Sequence, residues 1–303
     1  IREIFGTIAK PENPAERYYI QVEDNKEPIV SIAKDKEQPY ALTYIFCKHD
    51  AYPDNEKGDL TYYIYQYAAN VMQIMLSQRL EELAQSATPP FIQASIYDGD
   101  FFLSKTKKAL CGIAVTNEND LTKGISTVYR EMLRAVRNGF TESEYERART
   151  EILTHIESAY NERNKVKSAN YCKEYVRHFI DNEPIPGIEN EFALSQQLIP
   201  NIPLQIINQY ISTLISDSNL VVACMLPEKE GVTYPTEAEL KTLFANVAAE
   251  NIAPYQDKVS NEPLIAKAPK AGKVKKTEES LFGYKKITLS NGVVVYYKTT
   301  DFK

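Results

Sequence analysis

Residues 139–149 read Gly-Phe-Thr-Glu-Ser-Glu-Tyr-Glu-Arg-Ala-Arg, and they predict a tight turn between two helices. Thr141 and Glu144 have the spacing of a capping box, and aromatic residues stand at the two hydrophobic staple positions around it. Gly139 can end the preceding helix, because glycine adopts the left-handed conformation without steric cost. The sequence therefore predicts a helix–turn–helix junction, with the second helix beginning next to Thr141.

The hydrophobic patterns on either side of this junction predict an α+β fold. Strands are predicted at 18–24, 28–34, 40–48, 91–97, 101–115 and 219–226, with a turn at Asp98-Gly99-Asp100. Helices are predicted at 59–85, 118–138, 142–165, 167–182, 189–197, 203–216 and 236–249. This order of elements indicates an antiparallel sheet with helices packed on one face.

Changes in composition divide the chain into four parts. Residues 1–17 are predicted to be an incoming connector, and residues 18–255 the main domain. Residues 256–282 are rich in proline and lysine and predict an extended linker. Residues 283–303 contain Asn291-Gly292 between two alternating apolar runs, which is the strongest short signal for a hairpin. A lone hairpin is marginal in water, and both ends of the chain are interpreted as cuts in a longer protein.

Composition and charge exclude several classes of function. The 303 residues carry a net charge of −6, so a general affinity for nucleic acid is not expected. No apolar run reaches the roughly 18 residues that a membrane span needs. The cysteines lie far apart without C-x-x-C spacing and are predicted to be free, buried thiols, although the sequence leaves disulfide pairing open. They are Cys47, Cys111, Cys172 and Cys224.

Three further motifs carry a family resemblance. They are Ser77-x-Arg79-Leu80-x-x-Leu83, Pro235-Thr-Glu-Ala-Glu-Leu240 and Leu289-x-Asn291-Gly292-x-x-Val295. Together with residues 139–149, they resemble motifs of the pitrilysin/insulinase-type (M16) zinc metallopeptidases. That family is built from tandem copies of one α+β domain, as in the mitochondrial processing peptidase. The resemblance implies the second, non-catalytic domain of the N-terminal half of a long, two-half bacterial member, followed by a linker and the first hairpin of the next domain.

Catalysis in this family needs the zinc motif H-x-x-E-H. The histidines are His49, His155 and His178, and none stands in that motif. Glu151 with His155, and Glu174 with His178, have a spacing that could hold half a zinc site. No third ligand stands beside either pair, so solvated side chains are the preferred interpretation. We therefore predict no catalytic residue, no metal ligand and no cofactor in this chain, and the resemblance implies zinc in an upstream domain.

The resemblance also implies a strand edge that holds the substrate peptide by adding it to the sheet. The matching stretch is 91–102, and the implied contact residues are Ser95, Tyr97 and Gly99. The alternative for this stretch is an ordinary hairpin of the core.

The implied partners are an upstream zinc-carrying M16 domain, a downstream M16 half and a peptide substrate. A location in the bacterial periplasm rests on the resemblance alone. One alternative is a peptide-binding or scaffold module of a parent whose peptidase site is inactive. Another is an unrelated α+β enzyme, which would need titratable residues clustered in a pocket, and the sequence offers no such cluster.

Overall fold

The computed structural model describes residues 2–16, 18–259, 262–263 and 265–300. The chain forms two compact units, one ending at Asp257 and the other beginning at Lys258. The first unit contains the larger sheet and the long helices, and the second contains a small sheet.

The first unit is built on a five-stranded sheet. Its strands are β1 (Ile29–Asp35), β2 (Ala41–Asp50), β3 (Gln93–Asp100), β4 (Lys107–Thr116) and β5 (Leu220–Pro227). They lie in the order β1-β5-β2-β4-β3, and neighbours are antiparallel except for β1 and β5, which are parallel. The predicted α+β fold is confirmed, and the parallel pair is an addition that the sequence did not indicate.

The helices of the described residues are α1 (Arg2–Phe5), α2 (Leu60–Ala84), α3 (Leu121–Asn138), α4 (Glu142–Asn161), α5 (Ser168–Asp181), α6 (Ile188–Leu198), α7 (Leu204–Ser212) and α8 (Glu237–Ala249). The predicted capping box forms, since Thr141 Oγ1 accepts from the Glu144 N–H (3.3 Å) and Glu144 Oε2 accepts from the Thr141 N–H (2.9 Å). Gly139 ends α3 with φ +71°. No helix in the described ranges has the length and apolar character needed to cross a membrane.

The long helices α2 and α3 pack on one face of this sheet. Ile45 of β2 and Ile96 of β3 are fully buried in the core between the layers. Gly112 of β4 lies under α3, where an added Cβ would be 2.6 Å from Met132 Sδ and 2.9 Å from Val128 Cγ1. The helix therefore approaches the strand more closely than any side chain at this position would allow.

Two of the family-like motifs meet inside the first unit. Arg79 of α2 binds both carboxylate oxygens of Glu144 on α4, with N–O distances of 2.6 and 2.9 Å. Both side chains are almost fully buried. The Arg79 guanidinium also donates to the Gly139 carbonyl (3.1 Å) and lies over the Phe140 ring. The arginine of one motif thus neutralises the capping glutamate of the other, so both residues are explained by helix packing.

The segment 18–24 is not a strand, and that prediction is wrong. Its backbone bonds to side chains instead of a neighbouring strand: the Val22 N–H donates to Thr106 Oγ1 (3.2 Å), and the Glu23 carbonyl accepts from Lys48 Nζ (2.6 Å). Strand propensity measures fit to a half-buried pleated surface. This segment lies beside the end of the sheet, where no such surface is available to it.

The turn between β3 and β4 lies later than predicted. Asp98-Gly99-Asp100 belongs to β3, and the chain reverses over residues 101–106, so the next strand begins at Lys107. Aspartate and glycine are typical of turns. Here Gly99 pairs with Ala109 of β4, and the Asp98 carboxylate is buried and held by side chains of other elements. These tertiary contacts override the local preference.

The cysteines are free thiols, but one of them departs from the prediction. Cys47, Cys111 and Cys224 are buried, whereas Cys172 on α5 is exposed. The prediction of burial is wrong for Cys172, because no described residue of α5 is buried. Burial raises the pKa of Cys47 and of Cys111 to about 12, so these two thiols stay protonated and unreactive at neutral pH.

The second unit is an antiparallel sheet of β6 (Val274–Glu279), β7 (Lys285–Leu289) and β8 (Val294–Tyr297), in that order. Asn291-Gly292 forms the predicted turn, with Gly292 at φ +87°. β6 lies inside the predicted linker, so the linker prediction is wrong for residues 274–279 and the hairpin is not alone. The charged composition of β6 concealed it. Glu278 stands opposite Lys286 of β7, and opposite charges across strands support pairing.

Candidate functional site

β3 forms one edge of the five-stranded sheet. It pairs with β4 on one side, and no other strand of the described residues pairs with its second side. Ser95, Tyr97 and Gly99 are alternate residues of β3 and are half-buried, so they share one face of the strand. The structure therefore brings the three predicted residues together at an open edge, which is a template for an added strand.

The face that these residues share carries a small aromatic cluster. Tyr97 and Phe101 of the β3–β4 turn pack against a buried cluster that includes Cys111 of β4 and Phe46 of β2. The centroid of the Phe46 ring is 5.3 Å from that of Phe101 and 4.8 Å from that of Phe102. Sequence analysis missed this cluster. The available signal was the continuous apolar run of β2, which is typical of a strand covered on both faces.

Gly99 allows the Tyr97 ring to lie against the strand. A Cβ at position 99 would be 2.8 Å from Tyr97 Cε2. Burial raises the pKa of Tyr97, so its hydroxyl group stays protonated at neutral pH. The two residues therefore present a flat, neutral aromatic surface next to the open edge.

On the opposite face of β3, the buried Asp98 carboxylate collects polar partners from β2, α2, α7 and β4. Oδ1 lies 2.8 Å from His49 Nε2, and Oδ2 accepts from the hydroxyl groups of Tyr65 (3.0 Å) and Tyr210 (2.7 Å). Lys108 Nζ is 3.9 Å from Oδ2. Burial acts to raise the pKa of Asp98, but the bonds and charges of these partners outweigh it and lower the pKa below 3.8. The ionised carboxylate fixes this end of β3.

An open cavity of about 680 Å³ lies beside the Asp98–Asp100 end of β3, between α2, α5, α6 and their loops. Tyr52, Tyr62, Tyr63 and Tyr65 line it. The ring centroids of Tyr52, Tyr62 and Tyr65 are 4.8–5.9 Å apart. The sequence shows the crowding of tyrosines at the start of α2, but the other walls come from distant segments, so the cavity was not predicted.

The histidines lie in separate surroundings. His49 contacts Asp98, His178 Nδ1 is 2.7 Å from the Glu183 carbonyl oxygen, and His155 is exposed on α4. Within the part of the chain that the structure describes, no group of three or more His, Cys, Asp or Glu side chains could hold a metal ion. These residues do not fit the zinc site of a peptidase, and the absence of zinc from the whole chain stays a prediction.

Comparison with known proteins identifies a curated relative with significant sequence similarity. No family model matches the sequence. A "zinc protease PQQL-like" protein from Arabidopsis thaliana is 31% identical over 166 residues. The matched region is 54% of this chain and 17% of that protein, so the chain spans a small part of its relative.

Solved structures extend the comparison to the whole chain. The periplasmic protease PqqL from Escherichia coli matches with a TM-score of 0.70 and 16% identity, over 100% of this chain and 33% of that chain. A peptidase M16 inactive domain from Pseudomonas fluorescens matches with a TM-score of 0.50 and 14% identity, over 74% of this chain and 49% of that chain. This chain has an M16 peptidase fold. The resemblance read from the motifs is confirmed.

Proposed function

We propose that this chain is a non-catalytic M16 domain of a longer zinc peptidase, which closes the peptide chamber and holds an extended peptide along β3. The observation that carries the proposal is the open side of β3, where Ser95, Tyr97 and Gly99 share one face. The likeness to an M16 inactive domain and the missing H-x-x-E-H motif support a non-catalytic role. The match to one third of PqqL supports a place in a longer protein.

Peptide binding at this edge would rest mainly on main-chain hydrogen bonds. An edge strand leaves N–H and C=O groups on its outer side without a strand partner, and an extended peptide can pair with them whatever its sequence. Alternate side chains of that peptide would then lie on the face that carries Tyr97. Phe102, whose side chain is 60% exposed, offers further apolar surface there. Such contacts suit a domain that retains many peptides weakly.

The proposal places zinc-dependent hydrolysis outside this chain. A zinc-bearing M16 domain and a second M16 half would be other parts of the same protein. PqqL is a periplasmic protease, and we extend that location to the present protein as part of the proposal.

Amide hydrogen exchange with a matched pair of peptides tests the proposal. One peptide is unstructured and uncharged, and the other has the same sequence with alternate amides N-methylated, so it cannot form a full ladder of hydrogen bonds. At about 1 mM peptide, which half-saturates a site with a binding free energy of about −4.1 kcal/mol, the first should protect residues 93–100. Equal protection by the N-methylated peptide, or no protection of β3 by either peptide, would contradict strand addition.

A further inference from the structure

The cavity beside β3 has no part in the proposal above, and its charge is unbalanced. Its lining includes eight carboxylate side chains and four basic side chains. Three of the basic side chains are already engaged by carboxylates of the same lining, namely Lys57 by Asp54, Lys105 by Asp181 and Lys108 by Asp98. The charge left without a counterpart inside the cavity is therefore negative.

Two of the remaining carboxylates face the cavity together. Glu174 of α5 and Glu191 of α6 are half-buried, and neither side-chain carboxylate has a hydrogen bond or an ion pair among the described residues. Burial raises the pKa of Glu191, the negative charge of Glu174 raises it further, and His155 acts in the opposite direction. A positive group beside the two carboxylates would offset the loss of solvation of Glu191 and the repulsion between the two negative charges.

The aromatic walls of the cavity also favour a cation. The electron-rich faces of tyrosine rings attract ammonium and guanidinium groups within about 6 Å. The structure already contains two such contacts, with Lys57 Nζ 6.0 Å from the Tyr62 ring centroid and Lys108 Nζ 5.7 Å from that of Tyr65. The tyrosine walls therefore already accept positive groups beside their rings, which is the chemistry that a bound cation needs.

The cavity adjoins the end of β3, because Asp98 and Asp100 belong both to that strand and to the cavity lining. A peptide paired along the full length of β3 would reach this end of the strand, beside the cavity. We propose that the cavity binds the guanidinium or ammonium group of a basic residue in a peptide held along β3. This inference rests on the proposed function and adds the substrate class, which is peptides that carry a positive charge.

Binding of two fluorescent peptides to the full 303-residue chain tests this inference. The peptides are blocked at both ends and differ at one residue, which is arginine in one and its uncharged isostere citrulline in the other. We expect the arginine peptide to bind about tenfold more tightly, a ratio equivalent to about 1.4 kcal/mol. In the double variant Glu174→Gln/Glu191→Gln, the two affinities should become equal while the affinity for the citrulline peptide stays unchanged.

A matched control variant distinguishes loss of the two cavity carboxylates from a mere change in the net charge of the protein. Glu228→Gln/Glu230→Gln removes the same charge from exposed positions between β5 and α8, and it should keep the tenfold preference. Equal affinities for the two peptides in the unmodified chain would overturn the inference. So would a preference that survives in the cavity variant or disappears in the control variant.

Failure of strand addition gives a different result from failure of the cavity. If both peptides bind equally and protect β3, the proposed function stands and the cavity inference fails. If neither peptide binds, strand addition fails, and N-acetyl-arginine amide alone then decides the cavity. Its addition should shift the NMR signals of Tyr62 and Tyr65, and N-acetyl-citrulline amide should not. Absence of that difference would overturn the cavity inference as well.

Discussion

The Arg79 guanidinium lies over the rings of Phe140 and Tyr255 while it binds the Glu144 carboxylate, so one side chain links α2 and α4 to the α3–α4 turn and to the segment after α8. A buried ion pair contributes little compared with an apolar replacement, but removal of one partner leaves an uncompensated charge. The sensitivity of this site to single substitutions is therefore high.

We predict that Arg79→Met lowers the free energy of unfolding by about 3–5 kcal/mol, because it leaves the buried Glu144 charge without a countercharge. Urea denaturation would measure the loss. The control is Arg149→Met, which removes a partly exposed arginine paired with Glu146 and should cost under about 1 kcal/mol. An Arg79 variant no less stable than the control would contradict the role given to the pair.

Asp98 makes a second prediction at this scale, because its pKa is lowered in the folded state. Because the pKa is lowered in the folded state, the ionised Asp98 carboxylate stabilises the fold at every pH above 3.8, the usual pKa of this group. This contribution is lost as the pH falls through the pKa of the folded state. The stability difference between the unmodified chain and Asp98→Asn should therefore be widest at neutral pH and should narrow as the pH falls below 3.8.

Urea denaturation at neutral pH and in steps down to about pH 3 would follow this difference. The exposed Asp217 supplies the control, since Asp217→Asn makes the same chemical change at a position outside the hydrogen-bond network of Asp98. A difference for Asp98→Asn that stays constant over the whole range would show that the carboxylate acts through its shape and not its charge.

Among the secondary-structure elements, β6 changes the expectation for proteolysis. The chain has no helix or strand at the described positions between α8 and β6, whereas residues 274–279 pair with β7. We predict that trypsin first cuts after Lys267 and Lys270 and spares Lys275 and Lys276, since strand pairing protects a backbone from cleavage. Mass spectrometry of early digests would show the order, and first cleavage within β6 would contradict the pairing.

The elements that the sequence predicted correctly are those whose signals lie in neighbouring residues. The capping box at Thr141 and the Asn291-Gly292 turn are local in this sense, and both are present. The end of β3 was misread because the burial of Asp98 depends on His49 and Tyr210, which are far away in sequence. No local pattern records such contacts, so local turn chemistry gave the wrong answer there.

The candidate site also contains features that the sequence predicted and features that it did not. Ser95, Tyr97 and Gly99 were named from a resemblance, and their alternation along one strand placed them on one face. That the strand is an edge depends on the order of the whole sheet, which a single sequence does not show. The cavity depends on α2, α5 and α6 meeting at the end of β3, and it became visible only in three dimensions.

At the scale of the whole molecule, β3 is an edge strand of the larger sheet with no second strand partner among the described residues, and an acidic, tyrosine-lined cavity lies beside one end of it. A sheet that keeps such an edge risks uncontrolled pairing with other chains. A domain can keep an unpaired sheet edge when that edge binds a ligand. Addition of a peptide to β3 is therefore the central claim.

Isotope-filtered NMR of the labelled chain with an unlabelled, extended peptide tests that claim most directly. Adjacent antiparallel strands bring opposite Cα atoms to about 4.5–5.5 Å, close enough for nuclear Overhauser effects between backbone hydrogens. We expect such contacts between the peptide and successive residues of β3 from Gln93 to Asp100. Saturating peptide that contacts other parts of the chain but gives no backbone contact to β3 would contradict the account.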